Sequence, residues 1–346
     1  MHIFKASVFA AISTLALTAC GGSGGGEGSR DFVRAVGSST VYPFATAVAE
    51  KVTQDGVKSP IIESTGTGAG MKLFCGGVGG SFPDVENASR RMKASEYELC
   101  LENGVSEVIE IQVGIDGIAF AETISGPEMQ LTPEKVYMAL AANPFGEANT
   151  AKSWNDVDPA LPDMPILVYG PPTTSGTRDA LAELILESGC KTNPDMKALK
   201  KTDKDEYKRI CTQIREDGSY VESGENDNLI VQKIAQNPKA IGVFGYSFLE
   251  ENSDKLKGIP MSGVNPTYEA ISDFSYPGAR PLYIYVKKAH VGVIQGLKEF
   301  VEAWPGVWGP DGLLKDKGMV ISPDTVRAKN AEVIANSTAL DPSVLK

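Results

Sequence analysis

The order of apolar runs along this chain predicts an α/β protein of two lobes, each a mostly parallel sheet flanked by helices. Three observations lead there. Short strand-like runs alternate with helical patterns, three of the strand-to-helix turns are rich in glycine and hydroxyl residues, and the roughly 317 residues from Arg30 onward suffice for two cores. Strand–loop–helix repetition implies parallel pairing, and in parallel sheets ligands collect at the carboxyl ends of the strands. Two such sheets facing one another would bring the three turns together.

In chain order, residues 32–36 read as a strand that runs into Gly37-Ser38-Ser39-Thr40-Val41. Val41, Phe44, Ala45, Val48 and Val52 then recur at helical spacing, with Pro43 tolerated in the first turn. Residues 60–64 form a second strand leading into Ser64-Thr65-Gly66-Thr67-Gly68-Ala69-Gly70, and a helix begins at 71–74. Residues 108–122 are β-rich and broken at Asp116-Gly117. Thr132 followed by Pro133 opens a helix over 131–142. The strand 166–169 precedes Thr173-Thr174-Ser175-Gly176-Thr177-Arg178, which opens a helix over 175–188 with Leu181, Leu184 and Ile185 on one face and Gly189 as its stop. Strands at 240–248 and 282–287 and a helix at 292–304 complete the reading.

Each glycine–hydroxyl turn stands ahead of a helix. A helix N-terminus exposes unpaired N–H groups and the positive end of the dipole, so each turn suits an anion. Taken singly, such residues are ordinary caps. Three in one chain, with Arg90 and Arg178 close by in sequence, point to several N-termini converging on one small oxyanion.

The first twenty residues carry an address. Lys5 precedes an apolar run, 6–16, too short to span a bilayer, and then Leu17-Thr18-Ala19-Cys20. That string fits a lipobox, so residues 1–20 read as a lipoprotein signal with Cys20 acylated, and 21–30 as a Gly/Ser tether. Acylating Cys20 leaves Cys75, Cys100, Cys190 and Cys211, an even number in an exported chain. Three pairings exist, and the sequence-local ones, Cys75–Cys100 and Cys190–Cys211, are favoured because each staples a loop rich in Gly, Pro or charge. A metal site is not expected, since no C-x-x-C spacing occurs and His290 is the single histidine beyond the signal.

Composition narrows the function classes. The formal charge of −11, with no basic run, argues against nucleic acid. It does not argue against an anion ligand, which is held by local dipoles and hydrogen bonds. Ser-His and Cys-His nucleophile systems need an imidazole near the nucleophile, and His290 at the end of a strand-like run is expected to face solvent. No G-x-S-x-G elbow occurs, and residues 66–73 match neither the P-loop nor the dinucleotide spacing. No enzyme activity and no cofactor are expected.

The strings Val36-Gly37-Ser38-Ser39-Thr40-Val41-Tyr42-Pro43-Phe44, Asp84-Val85-Glu86-Asn87-Ala88-Ser89-Arg90-Arg91-Met92-Lys93, Thr174-Ser175-Gly176-Thr177-Arg178 and Gly242-Val243-Phe244-Gly245-Tyr246 carry a resemblance. Through them the chain resembles the phosphate-binding component of the Pst-type phosphate ABC importer, a class II periplasmic solute-binding protein. The resemblance covers nearly all of the chain beyond the tether. It implies two α/β lobes joined by two crossover strands, with 31–114 and 283–346 as lobe 1 and 115–282 as lobe 2. It also implies a monomeric receptor in the periplasm or cell envelope that closes on inorganic phosphate and hands it to membrane permease subunits.

Position by position, the resemblance implies that the Thr40 hydroxyl and Val41 N–H hold phosphate, with Ser39 beside them. Thr67 and Gly68 fall at the second-loop positions, and Ser175, Gly176 and Thr177 at the third. Two positions depart from the best-known members: Arg90 stands at their buried aspartate, and Pro171 at the arginine four residues before their third-loop serine. Arg90 and Arg178 are expected to supply the positive charge instead, and alanine at either to weaken phosphate binding at least tenfold. An aspartate rejects sulfate because sulfate offers it no proton. Here another acceptor is needed, with Glu63, Asp227 and a backbone carbonyl as candidates. The other functions weighed are a receptor of the same fold for sulfate or molybdate, a scavenging or signalling protein without a transporter, and a secreted phosphatase, which lacks a visible nucleophile or metal cluster.

Overall fold

A computed structural model describes residues 30–224 and 227–345. The signal, Cys20 and the tether to Ser29 therefore lie outside the described residues. Among the described residues nine strands form a curled sheet: β1 Arg34–Gly37, β2 Ile61–Ser64, β3 Val85–Ala88, β4 Val108–Thr123, β5 Val168–Gly170, β6 Tyr220–Glu222, β7 Ile241–Gly245, β8 Leu256–Gly258 and β9 Ala279–Lys287. Their order is β2-β1-β3-β9-β4-β7-β5-β6, with β8 on the far end of β4. Pairing is parallel within β2-β1-β3 and within β7-β5-β6, and antiparallel wherever β4 or β9 takes part.

The long strands join the lobes. β4 runs beside β9 from Val108 to Gly117 and then beside β7 from Ile118 to Ala121. It is not broken at Asp116-Gly117: both residues pair with β9, and the missing Cβ of Gly117 leaves room for the Ile271 side chain, 2.8 Å from where that Cβ would lie. The irregularity sits instead between Gln112 and Gly114. One buried cluster takes residues such as Val48, Ile111, Ile284 and Trp304. Another takes Phe120, Tyr137, Trp154 and Phe244. Burying one face of each element in these two cores supplies the main stabilisation.

Several boundaries differ from the expected ones. The second turn's helix begins at Thr67, not at 71, and runs to Phe74. Its glycines are weak helix formers, but Gly70 lets the helix press onto β3, a Cβ there falling 2.3 Å from the Glu86 carboxylate. Helical structure continues through Gly189 to Cys190, by way of a wide turn over Leu181–Leu186. The strand expected over 240–248 ends at Gly245 and turns into the helix Tyr246–Glu251. The helix expected from 292 begins at Leu297, behind the left-handed Gly296. The helices Pro194–Thr202 and Lys204–Thr212 carry too thin an apolar stripe to be read by periodicity, but their caps Asn193 and Asp203 accept from Asp195 and Glu206 N–H.

Both expected disulfides are present, Cys75–Cys100 and Cys190–Cys211, with Cα separations of 4.2 and 5.4 Å. His290 does not face solvent. It is 2% exposed, with Nδ1 2.6 Å from Asp84 Oδ1 and Nε2 accepting from Gly79 N–H at 2.9 Å. The short turn after β9 folds it back under the sheet, where Asp84 also receives Arg30.

Candidate functional site

The first turn leaves the carboxyl end of β1 at Gly37, whose φ of +123° and a phantom Cβ only 2.2 Å from Asn87 O leave room for glycine alone. Ser38 Oγ then accepts from the N–H groups of Thr40 and Val41, at 3.1 and 3.3 Å. The Val41 N–H expected to face a ligand is thus engaged inside the turn. The helix Tyr42–Gln54 follows. The second turn is tied to the first, Thr65 and Gly66 N–H donating to Gly37 O at 2.9 and 2.8 Å.

The third turn leaves β5 and opens a helical run at Gly176, with Ser175 as cap accepting from Thr177 N–H at 3.2 Å. It meets the first turn directly. A Cβ on Gly176 would lie 2.5 Å from Thr40 Cα, so only glycine allows this approach. Thr40 Oγ1 donates to Gly176 O at 3.2 Å, and Ser39 Oγ donates to Asp179 at 2.5 Å.

Beside this junction lies a cavity of about 510 Å³. Ser39, Thr40, Ser175, Gly176 and Thr177 line it, with Asp116, Asp227, Ser247 and Lys317 contributed by other elements. Five of the ten expected ligands therefore share one cavity. The others are placed differently. Thr67 is buried with its hydroxyl 3.1 Å from Ser89 Oγ, and it also accepts from Ser89 N–H. Gly68 is exposed behind it. Arg90 is bidentate on Glu96, at 2.9 and 2.7 Å. Arg178 stacks on the Tyr220 ring at 4.4 Å, and its buried Nη1 has no hydrogen-bond partner among the described residues.

Carboxyl groups punctuate the cavity. Asp227 is buried and accepts from Gly245 N–H at 3.1 Å. Asp116 is held above the usual carboxylate range by burial, with the Arg280 guanidinium opposing the shift. Glu63, the other named candidate acceptor, is bound to Arg34 at 2.5 and 3.2 Å and does not line the cavity. Its hydrogen bond from Arg34 holds it below the usual range.

Sequence reasoning missed Arg280 altogether. This side chain is 4% exposed and donates to Thr40 Oγ1 at 2.7 Å, Gly176 O at 3.4 Å, Asp116 at 3.0 Å and Glu183 at 2.7 Å. The signal available was an arginine opening the strand-like run that ends at Lys287, where a solvated flank is the usual reading. Only the register Asp116↔Arg280 of β4 and β9 brings it to the cavity.

Among the described residues no cluster of His, Cys, Asp and Glu is arranged for a metal ion, and no helix is long and apolar enough to cross a membrane.

Comparison with known proteins adds a lineage. Residues 22–302 match the model of the PBP superfamily domain. The chain is 31% identical over 318 residues to the phosphate-binding protein PstS of Staphylococcus saprophyticus, spanning 88% of this chain and 83% of that one. It is 33% identical over 276 residues to protein SphX of Synechococcus elongatus, spanning 76% and 71%. A solved structure of a possible phosphate binding protein from Planctomyces limnophilus superposes with a TM-score of 0.71 at 27% identity, over 90% of this chain and 99% of that one.

Proposed function

The chain belongs to the PBP superfamily, in the branch of Pst-type phosphate-binding proteins, and we propose that it captures inorganic phosphate between its lobes for a phosphate ABC transporter. The observation that carries this reading is the junction of the first and third turns, where five hydroxyl residues and Gly176 line one cavity. Ser39 and Thr40 bind the anion from lobe 1, and Ser175, Gly176 and Thr177 from the start of a helical run in lobe 2. On the lobe 1 side Val41 precedes the first helix and Thr67, Gly68 and Arg90 follow β2 and β3, and Arg178 lends charge from beside Tyr220. The boundaries of the lobes are 31–114 with 283–346, and 115–282. The protein works as an exported monomer, tethered through acylated Cys20 and residues 21–30, and passes phosphate to the permease subunits.

A phosphate that still carries a proton donates it to Asp227 or Asp116, both of which line the cavity. Sulfate has no proton to give, so its oxygen meets that carboxylate lone pair to lone pair with no hydrogen bond between them, which selects against it. Calorimetric titration with phosphate, arsenate, sulfate and molybdate tests the reading. Phosphate and arsenate should bind tightly and sulfate weakly. Thr40→Val removes a hydrogen bond to a charged group worth about 1.5–3 kcal/mol, so affinity should fall at least about tenfold. Lys288→Ala, on the surface against Glu107, should change nothing. Sulfate bound as tightly as phosphate, or Thr40→Val at wild-type affinity, would overturn the proposal.

A further inference from the structure

We propose that Arg280 is a positioning residue that couples the hinge strands to the anion cradle, by fixing the Thr40 hydroxyl and the Gly176 carbonyl in one geometry across the two lobes. The inference rests on the reading that this cradle binds phosphate, and it assigns to that site a part that no glycine–hydroxyl turn supplies.

Arg280 sits near the start of β9, opposite Asp116 of β4, where the two strands pass between the lobes. Its Nε donates to Asp116 and its Nη1 to Glu183, so carboxylates from two separate elements hold the planar fork. The remaining nitrogen, Nη2, reaches Thr40 Oγ1 at 2.7 Å and Gly176 O at 3.4 Å. One guanidinium thus touches the hinge strand, the first turn and the third turn together.

The chemistry at Thr40 follows. A hydroxyl has one proton to give. With Arg280 donating into Oγ1, the Thr40 O–H is directed outward as a donor, now to Gly176 O at 3.2 Å and, on binding, to an anion oxygen. Arg280 also offsets part of the negative charge of Asp116, which lines the cavity. Lysine cannot replace it, because one ammonium does not span Thr40, Asp116 and Glu183 in a fixed plane.

The test combines phosphate titration with amide hydrogen exchange on the whole mature protein. Arg280→Met should weaken phosphate binding at least about tenfold, and Arg280→Lys should recover little of the loss. The double variant Arg280→Met with Thr40→Val should bind no more than about threefold more weakly than the worse single variant, because both act through one hydroxyl. A merely structural role would give additive losses. In ligand-free protein, Arg280→Met should speed exchange in residues 38–41 and 175–178 together and leave the helix Tyr42–Gln54 unchanged. Should Arg280→Met fail to fold, Glu183→Gln loosens the same fork while keeping the arginine, and the same pattern is expected. Additive losses, full rescue by lysine, or unaltered exchange at both turns would each overturn the proposal. The exchange result stands whether or not wild type binds phosphate, and absence of wild-type binding would instead condemn the phosphate reading.

Discussion

Lys287 is fully buried between the rings of Phe74 and Phe82, at 5.0 and 5.4 Å, and its Nζ has no hydrogen-bond partner among the described residues. Burial pushes this amine down to about 7, Asp84 opposing and Arg30 adding to the shift. The unfolded chain then binds more protons than the folded one between pH 7 and the ordinary lysine value of about 10.4. Stability should therefore rise with pH across that window, and below pH 7 the cost of burying the charge is carried in full. Lys287→Met should stabilise the protein, and more at pH 6 than at pH 10, as read by urea unfolding. A gain that is equal at both pH values would contradict this account. The same buried layer explains the misplaced His290. In sequence it follows two lysines and an alanine, which suggests a surface, and nothing local announces that Asp84 and Gly79 wait for its two ring nitrogens. The hydroxyls of the cradle were legible because caps and anion sites share a local signature. Arg280 was not, because its role arises from strand register and not from its neighbours in sequence.

Among the elements, the strands and the strong helices were readable from period and turn chemistry, whereas helices that pack through two or three side chains were not. Lys204–Thr212 buries only Tyr207, Ile210 and Cys211. The Cys190–Cys211 bridge ties that helix back to the end of the helical run that begins at the third turn. Closing a loop of this size should stabilise the fold by about 3 kcal/mol on the loop-entropy estimate. Cys190→Ser with Cys211→Ser should accordingly lower unfolding stability by about 3 kcal/mol in chemical denaturation. Phosphate affinity should change little, since the bridge lies at the opposite end of that run from Gly176. A large loss of affinity with intact stability would mean that the bridge acts on the site and not on the fold.

At the scale of the whole molecule, a chain of formal charge −11 is proposed to hold an anion. The two are compatible because distant charges are screened over about 10 Å at moderate salt, while donors at hydrogen-bond distance act at full strength. What the fold adds is convergence. β4 and β9 carry the lobes past one another so that Gly176 seats against Thr40, and the helix starts of both lobes face the same space. The measurement that tests this most directly is a crystal structure of the protein with arsenate, the heavier analogue of phosphate, located by the anomalous signal of arsenic. One strong peak is expected in the cavity, with arsenate oxygens about 2.7–3.2 Å from Thr40 Oγ1 and from the hydroxyls of Ser175 and Thr177. A peak seated elsewhere on the protein, or a cavity that stays free of arsenate at saturating concentration, would contradict it.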